Sequence, residues 1–344
     1  MHTIQNTLYV MTPNAYAHLE NATVRIDVEH EKKLQVPLHH IGSLVTFGNV
    51  MISPALMHRL ADEGKSLVLL EDSGRFKARL EGPVSGNILL RQAQHRQAGD
   101  AAFALEFARA IVAGKLKNSR SVLMRGARET YDSAEADRLT RAADNLAASL
   151  RAAREAADLD TLRGVEGEAA RGYFAALNLI VKPQARAHFA LDGRSRRPPL
   201  DRFNALLSFL YAMLMNDCRS ALEAVGLDPQ LGFLHAVRPG RAALALDLQE
   251  EFRAVLADRL ALTLINRGQV RAEDFDLREG GAVMLNDPGR RKVVTAWQER
   301  KQDEITHPLT ESKLPLALLP FVQARFMART LRGEMDGYLP YLAK

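Results

Sequence analysis

A histidine and three carboxylates that could hold a metal ion stand close together in residues 231–253. His235 closes an apolar run, and after a Pro-Gly turn Asp247, Glu250 and Glu251 follow on a predicted helix. Because a helix rises only ~1.5 Å per residue, one that returns from the turn can bring a carboxylate near the imidazole. Buried carboxylates are normally paired with a cation or bound to metal. The stretch predicts a metal centre or, as the alternative, a solvated acidic helix face on which Glu251 pairs with a nearby base.

The residue types favour a hard divalent cation. One histidine and carboxylates around an open position suit Mg²⁺ or Mn²⁺, with water and substrate oxygens completing the shell. Zinc is less favoured, because the chain has a single cysteine, Cys218, and no H-E-x-x-H helix. The sequence also lacks a Walker phosphate loop and a G-x-S-x-G elbow. With a net charge of +5, these features indicate hydrolysis or transesterification of phosphodiesters.

Three motifs share an order and spacing that point to one family. Glu166 stands between two glycines in GVEGEAA (164–170), the histidine motif is GFLH (232–235), and the acidic helix reads ALDLQEEFR (245–253). Together with residues 195–208, these motifs resemble the CRISPR-associated spacer integrases over nearly the whole chain.

The resemblance implies a metal-dependent DNA endonuclease and integrase, which joins new spacer DNA to a CRISPR array by attack of a 3′-hydroxyl on the repeat backbone. It implies Glu166, His235 and Glu250 as catalytic ligands of Mg²⁺ or Mn²⁺, with Asp247 orienting His235 or a bound water. The family commonly has aspartate at the position of Glu250, although glutamate also occurs there. From the spacing alone either Asp247 or Glu250 could be the ligand, and the family analogy favours Glu250. Glu251→Gln is expected to be nearly silent.

The resemblance also implies partners. These are double-stranded DNA (prespacer and CRISPR repeat), a second copy in a homodimer, and CRISPR-associated protein two in a heterohexamer. The tail from Asp336 to Lys344 resembles the type I-C branch, where a nuclease trims the incoming DNA. Two other functions stay open: a metal nuclease acting on branched DNA in repair, and a non-catalytic DNA-binding scaffold.

Basic residues between the glutamate and histidine motifs are the candidate DNA contacts. They lie in a predicted loop that ends in two prolines, and arginine forks match phosphate oxygens bidentately. The alternative is a solvated loop. The candidates are Lys182, Arg186, Arg194, Arg196 and Arg197.

The predicted fold class is α+β, with an N-terminal β-rich domain followed by a larger all-α catalytic domain. Residues 1–81 carry short runs rich in Val, Ile and Thr between turn-formers, and the resemblance assigns this domain to dimerisation. Residues 82–87, with one proline and two glycines, are the predicted linker, and 88–344 follow helical periodicity. No apolar run is long enough to cross a membrane, and no secretory signal is present, so a cytoplasmic location is predicted.

Overall fold

The chain divides into two compact units, Met1–Ser85 and Gly86–Lys344. The computed structural model describes residues 6–72, 74, 76–80, 82, 88–191 and 193–343. Apart from Gly82, the predicted linker 82–87 lies outside the described residues. Within those residues, no helix is both long and apolar enough to cross a bilayer. The roles predicted for the two domains stay predictions.

The first unit is built from two sheets, as its short β-branched runs predict. The sheets are ordered β1-β5-β7-β8 and β4-β3-β2-β6, and Val24 and Ile26 on β3 point into the core. Helix α1 (Pro54–Asp62) begins at Ser53, whose side chain accepts the Leu56 N–H. The described strands are β1 (Asn6–Val10), β2 (Tyr16–Glu20), β3 (Thr23–Val28), β4 (Glu31–Pro37), β5 (Ile41–Phe47), β6 (Met51–Ile52), β7 (Ser66–Leu70) and β8 (Phe76–Leu80).

The second unit is mainly helical. Aspartates at 100, 132, 158 and 201 cap four of its helices, each accepting backbone N–H groups of the first turn. A π-helical segment, Arg253–Asp258, directly follows α8. The described helices are α2 (Ile88–Gly99), α3 (Ala101–Glu129), α4 (Ser133–Glu155), α5 (Leu159–Ile180), α6 (Pro183–Phe189), α7 (Arg202–Ala224), α8 (Ala243–Phe252), α9 (Arg259–Asn266), α10 (Asp287–Gln302) and α11 (Leu319–Leu331).

The prediction of an all-α second domain is wrong in one respect, because two hairpins interrupt the helices. They pair β9 (Phe275–Leu277) with β10 (Val283–Leu285), and β11 (Glu304–Thr306) with β12 (Lys313–Pro315). Three-residue strands are too short to give a readable alternation, which explains why the sequence pattern missed them. The predicted basic loop also contains a helix, α6, which begins where a proline occupies its first turn.

Helix α8 is buried on all sides, so the alternative of a solvated acidic face is wrong. Its acids Asp247, Glu250 and Glu251 are at most 2% exposed. Glu251 accepts hydrogen bonds from the Tyr338 hydroxyl, from the Tyr341 backbone N–H at 2.7 Å, and from an amide of α11. Burial raises the pKa of Glu251 to about 8, although these donors oppose the shift. The Glu251 side chain therefore anchors the C-terminal segment, and we no longer expect Glu251→Gln to be nearly silent.

Asn118 ties the same elements together from helix α3. Its amide donates to the Glu251 carbonyl at 2.7 Å and to the Tyr341 carbonyl at 2.8 Å. Its side-chain oxygen accepts the Ala343 N–H at 2.9 Å. The chain from Tyr338 to Ala343 is thus part of the core of the second unit.

The π-helical segment buries Asp258 between two tyrosines. Tyr211 donates to Oδ1 at 2.6 Å and Tyr173 donates to Oδ2 at 2.8 Å. The Tyr211 ring also lies between the guanidinium groups of Arg253, 4.9 Å away, and Arg194, 5.3 Å away. Burial raises the pKa of Asp258 to about 6 despite the two hydroxyl donors. The segment therefore packs charged and aromatic groups directly behind α8.

Glu251→Leu should destabilise the protein, because it removes the acceptor of the buried Tyr338 hydroxyl and of the Tyr341 backbone N–H. Each unsatisfied buried donor costs about 1–3 kcal/mol, so we expect a loss of about 2 kcal/mol or more in unfolding free energy. Urea unfolding measures the loss, and limited proteolysis should cut the C-terminal segment faster. Glu299→Leu, at an exposed position of α10, is the control, and equal stability of the two variants would contradict the anchoring role.

Asp258 should make stability depend on pH between about 4 and 6. Its folded pKa of about 6 lies above the ordinary 3.8, so the folded state holds this proton more tightly. The resulting stabilisation is complete below pH ~3.8, is lost as pH rises through about 6, and amounts to roughly 3 kcal/mol.

The comparison of wild type with Asp258→Asn isolates this contribution. We expect the difference in their unfolding free energies to fall by roughly 3 kcal/mol between pH 4 and pH 6.5, and then to level off. Asp137→Asn, at an exposed position of α4, should show no such change. A difference that is flat with pH would mean that Asp258 titrates as an ordinary aspartate.

Candidate metal centre

The structure brings the three predicted ligands together from three elements. Glu166 lies on α5, His235 in the loop between α7 and α8, and Glu250 on α8. The His235 Nε2 atom is 3.7 Å from Glu250 Oε1. The Lys115 ammonium on α3 lies between the two glutamates, in contact with Glu166 Oε1 and 2.7 Å from Glu250 Oε2. The two glutamates thus share a position that is occupied by the Lys115 ammonium, and His235 approaches the other oxygen of Glu250.

Asp247 fixes the loop that carries the histidine. Its Oδ2 accepts the backbone N–H groups of Phe233 at 2.6 Å and Leu234 at 3.1 Å. Its Oδ1 accepts the backbone N–H of His235 at 3.0 Å and lies 2.7 Å from His235 Nδ1. A carboxylate accepts the Nδ1–H of a histidine at this distance, so that Nε2 is the ring nitrogen that faces Glu250. Asp247 therefore holds both the backbone and the ring of His235 in place.

The close approach of Asp247 explains the glycine of the GFLH motif. A Cβ atom on Gly232 would lie 2.6 Å from Asp247 Oδ2 and 2.8 Å from the backbone nitrogen of Leu244. Real Cβ atoms do not approach other atoms so closely, so any side chain here would force the loop away from α8. The glycine is thus a packing requirement of the histidine loop.

Glu250 is kept ionised by its neighbours. Burial opposes its charge, but Arg253, at 2.7 Å from Oε1, and then Lys115 outweigh burial and lower the pKa of Glu250 to about 2. Arg253 is itself held by Gln249 Oε1 at 3.0 Å and by the Tyr211 ring. In the sequence, Arg253 stands beside the acids as one of the bases near Glu251, whereas Lys115 lies far from all three motifs and belongs to none of them.

The residues present fit a cation. In the portions of the chain that the structure describes, no three His, Cys, Asp or Glu side chains stand close enough together to hold a metal ion as they are. The Lys115 ammonium instead marks a position between Glu166 and Glu250 that a cation can fill. With His235 Nε2 pointing toward Glu250, this donor set of one nitrogen and carboxylate oxygens suits Mg²⁺ or Mn²⁺.

The five candidate DNA contacts lie in different settings. Arg186 pairs with Glu135 and donates to the Val181 carbonyl at 2.6 Å. Arg194 packs inward and donates to Asn204 Oδ1 at 2.7 Å. The exposed candidates are Lys182, Arg196 and Arg197. A DNA-binding role for all five stays a prediction.

Further arginines surround the histidine loop. Arg163 donates from Nε to the Leu234 carbonyl at 2.7 Å. Burial, followed by repulsion from Arg238, Arg163 and Arg196, lowers the pKa of Arg241. The cationic cluster, defined as Arg163, Arg196, Arg238 and Arg241, therefore lies beside the candidate centre. The prediction from sequence included Arg196 and missed Arg163, Arg238 and Arg241, which lie in two other segments of the chain.

Comparison with known proteins identifies the family. Residues 8–299 match the family model of CRISPR associated protein Cas1. The chain is 52% identical to a CRISPR-associated endonuclease Cas1 of Moorella thermoacetica, over 99% of both chains. It is 37% identical to a fusion of CRISPR-associated exonuclease Cas4 and endonuclease Cas1 from Rhodospirillum rubrum, over 97% of this chain and 57% of the fusion.

Solved structures share the fold. A Cas1 protein from Thermotoga maritima superposes with a TM-score of 0.83 at 22% identity, over 97% of this chain and 99% of the other. A casposase bound to an integration product gives 0.84 at 20% identity, over 99% and 95%. The Cas6-RT-Cas1–Cas2 complex gives 0.84 at 22% identity, over 100% of this chain and 37% of that one. With a matching family model and a 52% identical relative over nearly its full length, the chain belongs to the Cas1 family of CRISPR-associated endonucleases.

Proposed function

We propose that the chain is a metal-dependent DNA endonuclease and integrase, which inserts new spacer DNA into a CRISPR array by attack of a 3′-hydroxyl on the repeat phosphodiester. The observation that carries this proposal is that Glu166 and Glu250 share one cation, the Lys115 ammonium, while His235 Nε2 lies 3.7 Å from Glu250 Oε1. Family membership supports the endonuclease activity, and the casposase with its integration product has the same fold.

Glu166, His235 and Glu250 are the proposed ligands of Mg²⁺ or Mn²⁺. The bound cation would polarise a phosphoryl oxygen and acidify the attacking hydroxyl. Asp247 keeps the His235 imidazole in the tautomer whose Nε2 can donate a lone pair. Arg253 keeps the Glu250 carboxylate ionised and contacts its Oε1 atom, whereas Lys115 contacts Oε2. The contacts of Asp247 with His235 and of Arg253 with Glu250 fix the ligand atoms before substrate binds.

The cationic cluster is the proposed contact for DNA phosphates beside the centre. Arginine guanidinium groups bind phosphate oxygens in a forked geometry, and a group of them raises the local concentration of a polyanion. Arg163 also holds the Leu234 carbonyl in the histidine loop. We therefore expect DNA binding and the position of His235 to be linked through this residue.

The partners are also proposals. We propose double-stranded prespacer and repeat DNA as substrates, a homodimer, and assembly with Cas2 into a heterohexamer, which the Cas1–Cas2 complex of the same fold supports. The Cas4–Cas1 fusion supports a nuclease partner that trims prespacers, as in the type I-C branch. A cytoplasmic location follows from this role in adaptation.

Glu166→Gln and Glu250→Gln should each abolish strand transfer at any Mn²⁺ concentration, because an amide removes the negative charge that a divalent cation requires. Glu168→Gln, at an exposed position of the same helix as Glu166, is the matched control and should retain activity. The assay joins a duplex prespacer to a plasmid that contains the repeat, with branched DNA as a second substrate.

The outcomes separate the functions. If the wild-type protein transfers DNA into the repeat and both variants lose this transfer, the integrase is supported. Cleavage of branched DNA by the wild type without transfer would identify a repair nuclease instead. Asp247→Asn should retain partial activity that excess metal raises, because Asp247 orients His235 without ligating. Full activity of Glu250→Gln would overturn the proposed ligand set.

Arg238→Gln combined with Arg241→Gln should weaken DNA binding about equally for all sequences. Each lost phosphate contact lowers the slope of log affinity against log salt by roughly 0.9, so we expect a slope smaller by up to about 2. The control combines Arg291→Gln with Lys313→Gln, two exposed positions elsewhere in the second unit. An unchanged slope in the first variant would mean that these arginines do not touch DNA.

A further inference from the structure

The side chain of Lys115 is the counter-ion of the two glutamates in the candidate centre. Lys115 lies in the middle of α3, and its side chain is 12% exposed. Its ammonium contacts Glu166 Oε1 and lies 2.7 Å from Glu250 Oε2. Both oxygens belong to the proposed metal ligands. The ammonium therefore neutralises the atoms that a divalent cation would bind.

Lys115 is also the neighbour that can leave. Arg253 is fixed by Gln249 and by the Tyr211 ring in addition to Glu250. In the described part of the chain, the ion pairs of Lys115 go to the two glutamates, and its stem of four methylenes is flexible. A small cavity, lined in part by Ser119 and Tyr173, adjoins Lys115 and gives a displaced ammonium room.

Glu250 is buried and Glu166 is half-buried, and both contact the same ammonium. Carboxylates this close need a cation, because they repel each other and burial of Glu250 costs free energy of desolvation. An ammonium and a divalent ion bind the same oxygens, so they cannot both occupy the position. We infer that Lys115 and the divalent cation are alternative counter-ions of Glu166 and Glu250, and that metal entry displaces Lys115. The inference rests on the proposed function.

Calorimetric titration of DNA-free protein with Mn²⁺ tests the competition. Lys115→Met should bind Mn²⁺ roughly tenfold more tightly or better, because charge-assisted bonds to the internal ammonium no longer compete. The same variant without metal should melt at a lower temperature, and Mn²⁺ should raise its melting temperature more than that of wild type. Lys117→Met, which removes the same charge from an exposed position of α3, should behave like wild type. Equal Mn²⁺ affinity of wild type and Lys115→Met overturns the inference.

A footprint of the wild-type protein gives an answer even if Lys115→Met does not fold. Acylation of lysines followed by mass spectrometry should show faster modification of Lys115 when Mn²⁺ is added, with Lys117 unchanged. Unchanged reactivity of Lys115 under saturating Mn²⁺ overturns the inference. If Glu250→Gln abolishes Mn²⁺ binding and Lys115→Met leaves it unaltered, the inference alone fails. If Mn²⁺ does not bind to wild type at all, the proposed metal centre fails with it.

Discussion

The hydrogen bonds of one aspartate hold the candidate centre together. The carboxylate of Asp247 accepts three consecutive backbone N–H groups and orients the His235 ring. Because it is fully buried, it has no water to compensate for a lost donor. This places the histidine loop against α8 at a fixed distance, which Gly232 permits and any larger residue would prevent. The positions of His235 and Glu250 relative to each other follow from this attachment.

Three acids that bind different partners fix the rotational position of helix α8 about its axis. Asp247 binds the histidine loop, Glu250 faces Lys115 and Arg253, and Glu251 binds the C-terminal segment. A small rotation of the helix would break all three sets at once. Buried acids are expensive singly, but acids that each have hydrogen-bond or charge partners specify one geometry. That precision suits a centre whose ligands must meet a metal ion within a few tenths of an ångström.

The sequence predicted the motifs of the site well and their surroundings poorly. Glu166, His235, Glu250 and Asp247 lie in one region of the second unit, and each belongs to a local motif whose residue types and spacing are informative. Their roles as ligands and positioning residue stay predictions. Lys115 could not be found this way, since it reaches Glu166 from 51 positions earlier in the chain and stands in no motif.

The basic segment shows a second limit of prediction from sequence. Arg186 and Arg194 are engaged with protein groups, and only the fold reveals such partners. The α+β class and the helical character of residues 88–344 followed from periodicity, whereas three-residue strands carry too little pattern. Burial of Glu251 was unpredictable for the same reason as Lys115, because its partners lie 72 to 90 positions away.

The docking of residues 338–343 has a consequence for biosynthesis. A ribosome adds residues from the N-terminus, so α8 is made long before Tyr341, its partner 90 positions later. Until those residues emerge, the Glu251 carboxylate and the Asn118 amide lack the groups that bury them in the finished protein. Domains generally fold as units during synthesis. The nascent second unit therefore cannot complete this part of its core before residues 338–343 have been made, and a chain that stops short of them leaves Glu251 and Asn118 without these partners.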